Sequence, residues 1–358
     1  MTTLPRTKVQ ELLGSRYPII QTGMGWVATP ELVGASCNAG AFGFLSCAVL
    51  EAKDVGPAID RVKAITDKPF GVNFHMFQPG AAQIVETFIE KKVAAVSFGR
   101  GPDKKMIARF RDAGIKCVPT IGAVRHAQKM EELGVDMLVV QGGEGGGHTG
   151  SVAGSVLLPQ VLDAVKIPVV AAGGYADGRG LAAALTFGAQ GIAMGTRFLM
   201  TKESPVPQQT KDRYVAAGVG DIFVTDKLDG LPQRMIRNKL TAALEKAGPF
   251  GMWILAASSA LKFKRLTGAT FGDLLKAARE NAHGGDTSFV QSLLAANAPV
   301  LIQRATVEGK PDEGIMATGL VAGRLKDLPS CEELVSRIVA EAEAALDRIC
   351  AMANATAN

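Results

Sequence analysis

Short apolar runs alternate with longer amphipathic ones through the first two hundred residues. The apolar runs predict eight strands, over 17–21, 42–45, 70–73, 94–98, 116–120, 137–141, 169–171 and 191–194. The segments between them have helical spacing: PELVGASCNAG, DVGPAIDRVKAIT, AAQIVETFIEKK, KKMIARFRDAG, AVRHAQKMEELG and GRGLAAALTFGA. Several close on a glycine, at Gly40, Gly114, Gly134 and Gly188. Glycine takes the left-handed conformation that ends many helices. Strands alternating with helices imply right-handed crossovers and a parallel sheet. Eight such units in about 200 residues predict an α/β chain folded as a (β/α)8 TIM barrel. An open doubly wound sheet is the competitor. Its usual G-x-G-x-x-G turn is missing, because the first strand runs into Thr22-Gly23-Met24-Gly25-Trp26.

The pattern changes after about Lys211. Residues 212–320 read as mostly helical, with glycine breaks at 248–251 and 284–285. They predict a helical cap or substrate domain over the carboxyl face of the barrel. The stretch CEELVSRIVAEAEAALDRICAM spaces Leu334, Ile338, Val339, Ala342 and Leu346 helically. It predicts a helix that packs back on the barrel. The expected division is therefore 1–211 for the barrel, completed by a helix within 325–352, and 212–320 for the cap.

Composition narrows the function classes. With 47% apolar residues among 358, the chain can bury a sizeable core. No stretch reaches the ~18 apolar residues of a membrane span. The first residues lack the apolar core of an export signal, and Glu11 interrupts them. A cytoplasmic protein is expected. Its partner is a small molecule; neither a nucleic acid nor a membrane is called for, and a homodimer is open. The five cysteines are scattered and form no CxxC, which argues against a disulfide framework or a zinc site. No histidine pair has metal-ligand spacing on one helix face, so no metal is expected. Residues 226–285 hold ten Lys/Arg against five Asp/Glu, an excess equal to the chain's net charge of +5. Such a bias suits either a solvated surface or a site for an anionic ligand.

Three motifs carry candidate chemistry. DMLVVQGGEGGGHTG ends an apolar run at Gln141 and then delivers Gly147 and His148 through a glycine-rich loop. Glycines let backbone approach a ligand closely, and successive N–H groups can form an anion nest. An imidazole titrates near pH ~6.5, which suits proton transfer at neutral pH. The second motif is a pair of turns, Gly173-Gly174 in PVVAAGGYADGRG and Gly195-Thr196 in GIAMGTRFL. After the seventh and eighth strands of a barrel, such turns form the usual phosphate site. The third is QTGMGW, where Gly23, Met24 and Gly25 would pass beneath a flat ring. Asn73, in FGVNF, and Gln141 would hydrogen-bond its edge or side chain. A planar ring with one phosphate describes FMN. His75 would line the pocket and His283 would face substrate; His126 reads as an exposed helix residue.

PIIQTGMGW, PFGVN, QGGEGGGHTG, PVVAAGGYADGRG, MGTRFL and DEGIMATGLVAG together resemble the nitronate monooxygenases, formerly 2-nitropropane dioxygenases. The resemblance spans nearly the whole chain. It implies an FMN-binding (β/α)8 barrel with a helical cap, FMN contacts at Gly23, Met24, Asn73, Gln141, Gly173, Gly174, Gly195 and Thr196, and His148 as the active-site histidine. EGGGHTG, QRMIRNKL, AANAP and ATGLVAG are most similar to an actinobacterial branch of flavin oxidoreductases. That branch works on CoA thioesters during degradation of the last steroid rings. The resemblance then implies that Arg234, Arg237 and Lys239, or Lys262, Lys264 and Arg265, pair with CoA phosphates. Four readings stay open beside it. They are oxidation of alkyl nitronates by O2, quinone or enoyl reduction with NAD(P)H as co-substrate, a flavin-free barrel isomerase or synthase, and a binding protein with a dead flavin site.

Overall fold

The eight expected strands form, and they are parallel. In this computed structural model, which describes residues 3–75, 78–99, 104–248 and 289–355, they are β1 (Ile19–Gln21), β2 (Phe42–Ser46), β3 (Gly71–Asn73), β4 (Ala95–Ser97), β5 (Lys116–Cys117), β6 (Thr120–Ile121), β7 (Leu138–Gln141), β9 (Val169–Ala172) and β10 (Ile192–Met194). The sheet runs β5-β4-β3-β2-β1-β10-β9-β7-β6. Its two end strands are consecutive in the chain, with only Val118 and Pro119 between them. Hydrogen bonds run straight through this gap. Val118 N–H donates to Val96 O at 2.8 Å and Thr120 N–H to Phe98 O at 3.0 Å on one side. On the other, Asp136 N–H donates to Cys117 O at 3.1 Å and Val139 N–H to Pro119 O at 2.9 Å. β5 and β6 are thus one barrel strand, interrupted where Pro119 has no N–H to give. The first unit is a closed (β/α)8 barrel.

The barrel is filled. Ile20, Phe42, Phe44, Ala95, Val118, Met137, Val139, Val170, Ala172 and Ala193 form one buried cluster. Val9 and Leu13 of helix α1 (Lys8–Leu13) join them. Strands buried on both faces read as continuous apolar runs, which is why they stood out in the sequence. The crossover helices are α2 (Pro30–Asn38), α3 (Ala52–Ile65), α4 (Ala81–Glu90), α5 (Lys104–Asp112), α6 (Val124–Glu132), α7 (Gly154–Ala164), α8 (Gly178–Phe187) and the four-residue α9 (Thr196–Leu199). Gly188 ends α8 at φ +101°.

The last long helix, α13 (Cys331–Ala355), packs on α8. Leu334, Ile338 and Ala342 are buried, and so are Val335 and Ala345; Val339 and Leu346 are half-buried. The two helices touch at Gly178. A Cβ there would overlap Ala342 N, Glu341 Cβ and Ile338 O. The Gly178 N–H instead donates to Glu341 Oε2 at 2.9 Å.

The chain divides into two compact units. One comprises Met1–Gly145, Gly150–Pro205 and Leu325–Asn358; the other comprises Gly146–Thr149 and Val206–Arg324. The second unit holds α10 (Gln208–Ala216), α11 (Lys239–Lys246) and α12 (Phe289–Thr306). It is not wholly helical. Strands β11 (Ile222–Thr225) and β12 (Gln233–Ile236) pair antiparallel, and β8 (Gly147–His148) joins as the third strand in the order β11-β12-β8. These strands are too short for alternation to declare them, and β12 opens on two polar residues. Leu228, Met235, Ala298 and Ile315 form the small core of this unit.

Replacing Gly178 by Ala tests the α8–α13 contact. The added methyl meets backbone atoms that cannot swing away, so we expect a loss on the order of 1–3 kcal/mol. A thermal melt indistinguishable from wild type contradicts the tight contact.

Candidate active site at the carboxyl ends of the strands

Parallel register gathers the expected cofactor residues at one rim. Gln21 pairs with Met194 and Gly43, Ser46 with Asn73, Asn73 with Ser97, Gln141 with Ala172, and Ala172 with Ala193. The residues just past these positions are Gly23, Gly142, Gly173 and Gly195. They leave a single edge of the barrel, the edge on which α/β barrels carry their chemistry.

The glycines there are required by close approach. A Cβ on Gly23 would lie 2.7 Å from Asn73 Cγ, so the first and third strand ends touch only because Gly23 has no side chain. Asn73 Nδ2 donates to Ser97 O at 3.1 Å, which fixes its amide. Met24 O accepts from Ala28 N–H at 2.9 Å, and its Sδ would stand 3.3 Å from a Cβ on Gly195. Gly173 and Gly174 both take positive φ, +90° and +82°. A Cβ on Gly173 would lie 3.0 Å from Gly142 O. β9 and β10 are neighbours, so the Gly173-Gly174 turn adjoins the Gly195-Thr196 turn, where Thr196 opens α9.

Two side chains, the buried Arg197 and the half-buried Glu144, tie down the segments that flank these turns. Arg197 donates to Asp327 Oδ1 at 2.7 Å and to Met200 O at 2.8 Å, and Arg337 reaches the same carboxylate at 2.7 Å. Glu144 accepts the Gly154 N–H at 2.9 Å, tying the glycine-rich loop to the start of α7. Gly145 lies against Gln141: a Cβ there would be 2.5 Å from its Cδ. At the same rim, Gln21 Oε1 and Ser46 Oγ are buried with no hydrogen-bond partner among the described residues. Buried polar atoms normally have partners, so these two fit an edge that meets a polar ligand. Neither was singled out from the sequence. Burial pushes the Cys47 thiol up to about 12, which removes thiolate chemistry at this point of the rim. Burial, with the Glu144 charge, also raises the Tyr175 hydroxyl to about 12. Among the described residues no three His, Cys, Asp or Glu side chains are placed to hold a metal ion.

His148 belongs to the second unit and sits in a strand where a loop was expected. In the β8–β12 register it lies opposite Gln233, and Gly147 lies opposite Arg234. Opposed residues share a face of the sheet. His148 Nε2 is 2.7 Å from Asp229 Oδ2, and Gln233 Nε2 donates to that same oxygen at 2.5 Å. The Leu231 N–H donates to Asp229 Oδ1 at 3.1 Å. The Asp229 side chain is only 13% exposed, while that of His148 is 58% exposed. Burial alone would raise the Asp229 carboxyl. The His148 hydrogen bond and charge, the Leu231 N–H and the Gln233 amide together hold it below the usual carboxylate range. Sequence reasoning missed Asp229 and Gln233. The available signal was the Asp229-Gly230 pair between two short strands, a turn signature.

Comparison with known proteins decides the family. The profile of the nitronate monooxygenases matches residues 6–91 and 76–341.

The chain belongs to the nitronate monooxygenase family.

It is an oxidoreductase by that membership. It is 46% identical over 352 residues to a (3aS,4S,5R,7aS)-5-hydroxy-7a-methyl-1-oxo-octahydro-1H-indene-4-carboxyl-CoA dehydrogenase of Rhodococcus jostii RHA1, covering 98% of this chain and 99% of that protein. A protein of the same description from Mycobacterium tuberculosis is 46% identical over 340 residues, 94% of this chain and 96% of its own length. Among solved structures, FabK from Thermotoga maritima superposes with a TM-score of 0.78 at 31% identity, over 98% of this chain and 100% of that one. Nitroalkane oxidase from Streptomyces ansochromogenes superposes with a TM-score of 0.74 at 28% identity, over 95% of this chain and 99% of that one.

The expected phosphate-pairing residues of this nitronate monooxygenase family member are partly engaged. Arg237 pairs with Glu245 and its guanidinium sits 4.6 Å over the Phe223 ring. Lys239 Nζ is 3.6 Å from Asp312 Oδ2. Arg234 is half-buried on β12. Lys227 donates to Glu245 O at 2.6 Å, at the end of α11. His75 is exposed beyond β3, its N–H donating to Gln78 Oε1 at 2.9 Å. His126 is exposed on α6. His283, Lys262, Lys264 and Arg265 lie outside the described residues. Among the described residues no helix is long and apolar enough to cross a membrane.

The lowered carboxyl of Asp229 sets a pH signature. Its stabilising contribution is present above the ordinary carboxylate pKa of about 4 and is lost as pH falls through its folded value. The melting-temperature gap between wild type and Asp229→Asn should therefore shrink as pH drops from about 5 to about 3. A gap that stays constant contradicts the pairing.

Proposed function

We propose that the chain is an FMN-dependent oxidoreductase acting on a CoA thioester. One observation carries the cofactor reading: two glycine turns, after neighbouring β9 and β10, adjoin at the carboxyl edge. Two adjacent turns suit one phosphate, whereas a dinucleotide pyrophosphate uses a longer glycine turn. Gly173, Gly174, Gly195 and Thr196 would hold that phosphate. Gly23 and Met24 would underlie the ring, and the amides of Asn73 and Gln141 would meet its edge, with Gln21 Oε1 and Ser46 Oγ as further polar atoms. Gly147 is a backbone contact in the same reading. When bound, FMN supplies a carrier for two electrons.

His148 is the proposed proton-handling residue. Its exposed ring can exchange a proton with a substrate, and its Nε2 is held by Asp229. The CoA-thioester substrate is supported by the 46% identity to the two indene-carboxyl-CoA dehydrogenases over nearly their full lengths. Arg234, Arg237 and Lys239 are the proposed phosphate partners, and Lys239 would first have to leave Asp312. Arg237 would first have to leave Glu245. A second reading, oxidation of nitronates by O2, is supported by a probable nitronate monooxygenase of Staphylococcus saprophyticus, 33% identical over 280 residues. Anaerobic flavin reduction by NAD(P)H or by the indene-carboxyl-CoA, against oxygen uptake with propionate 3-nitronate, separates the two.

The purified protein should be yellow and release FMN on denaturation, identified by mass. Gly174→Val forces a branched side chain into φ +82°. That strain of about 1–2 kcal/mol should weaken FMN binding roughly tenfold or more. A folded wild-type protein that is colourless and stays so when offered FMN contradicts the reading.

A further inference from the structure

Resting on the FMN reading, we infer that the barrel rim holds its cofactor in two halves, with Ser46 binding the polar edge of the flavin ring. Side chains alternate along a strand, so a residue two places past a core residue faces the same way. Phe44, Ala95, Val118 and Val139 belong to the cluster inside the barrel. Two places further toward the carboxyl ends stand Ser46 on β2, Ser97 on β4, Thr120 on β6 and Gln141 on β7. Asn73 on β3 joins them, because register sets it beside both Ser46 and Ser97. With β5 and β6 taken as one barrel strand, these strands follow one another around the barrel. They end in an arc of hydroxyls and amides laid on the apolar core. Next along the sheet, β9 and β10 end in the glycine turns instead. No member of the arc carries a charge. It therefore suits a neutral ring edge of carbonyls and N–H, while the phosphate goes to the turns.

Ser46 is the member of the arc with an unmet need. It is 5% exposed, and its N–H already donates to Ala28 O at 3.0 Å. Its Oγ is buried with no hydrogen-bond partner among the described residues. A buried hydroxyl without a partner costs free energy, and native structures keep few of them. A ring carbonyl could accept from this hydroxyl, or the ring N–H could donate to it. Its neighbour in register is already anchored: Asn73 Nδ2 donates to Ser97 O at 3.1 Å. The arc is thus held by the sheet, and Ser46 is left to pair with what the rim binds.

The test compares wild type with Ser46→Ala, each as the flavin-depleted full chain. Titration with FMN and with riboflavin separates the ring from the phosphate. We expect Ser46→Ala to bind both about threefold to tenfold more weakly, the loss of one hydrogen bond, with their ratio unchanged. Without ligand, the variant should melt no lower than wild type, because only an unpartnered hydroxyl is removed. Unchanged FMN affinity overturns the role of Ser46, and so does a loss confined to FMN. A ligand-free variant that melts well below wild type, or does not fold, also overturns it, since the hydroxyl then serves the protein itself. Folded wild type that binds neither flavin sinks the FMN reading and the ring edge with it. Wild type that binds both, with Ser46→Ala unaffected, sinks Ser46 alone.

Discussion

The proposed cofactor site depends on the register of one parallel ladder. β9, β10 and β1 are neighbours, paired so that Ala172 meets Ala193 and Gln21 meets Met194. That pairing lets Gly173, Gly195 and Gly23 leave the sheet side by side. A parallel ladder is rigid because strands buried on both faces cannot slip by one residue without turning their core side chains outward. The core cluster inside the barrel therefore also fixes the geometry of its rim. Ala172 and Ala193 belong to that cluster, one residue or two before the turns they position.

Closure of the barrel follows from the same physics. Pro119 cannot donate to a ladder, yet its carbonyl still accepts from Val139, and Val118 and Thr120 still donate to the β4 side. The strand is interrupted without opening the barrel. Outside the sheet, Gly178 brings α8 against α13, and the buried Arg197 ties the start of α9 to the segment leading into α13 through Asp327.

The barrel was legible in the sequence because its strands are continuous apolar runs punctuated by glycine. The rim was legible because glycine turns at fixed places after strands have few other uses. The second unit was harder to read. β11 and β12 are four residues each, and β8 has only two, so no periodicity could separate them from loop. His148 was visible as a lone imidazole in a glycine-rich loop. Asp229 was not, because it lies 81 residues away and only a strand pairing brings it to the ring. Gln21 and Ser46 were hidden for another reason: their missing partners can be recognised only when their burial is known.

The central claim is that the rim is built around a single phosphate. The direct measurement is the affinity of the apoprotein for FMN against riboflavin, which differ only by that group. Hydrogen bonds to a charged group contribute about 1.5–3 kcal/mol each, so we expect FMN to bind at least about a hundredfold tighter. Equal affinities for the two would contradict it.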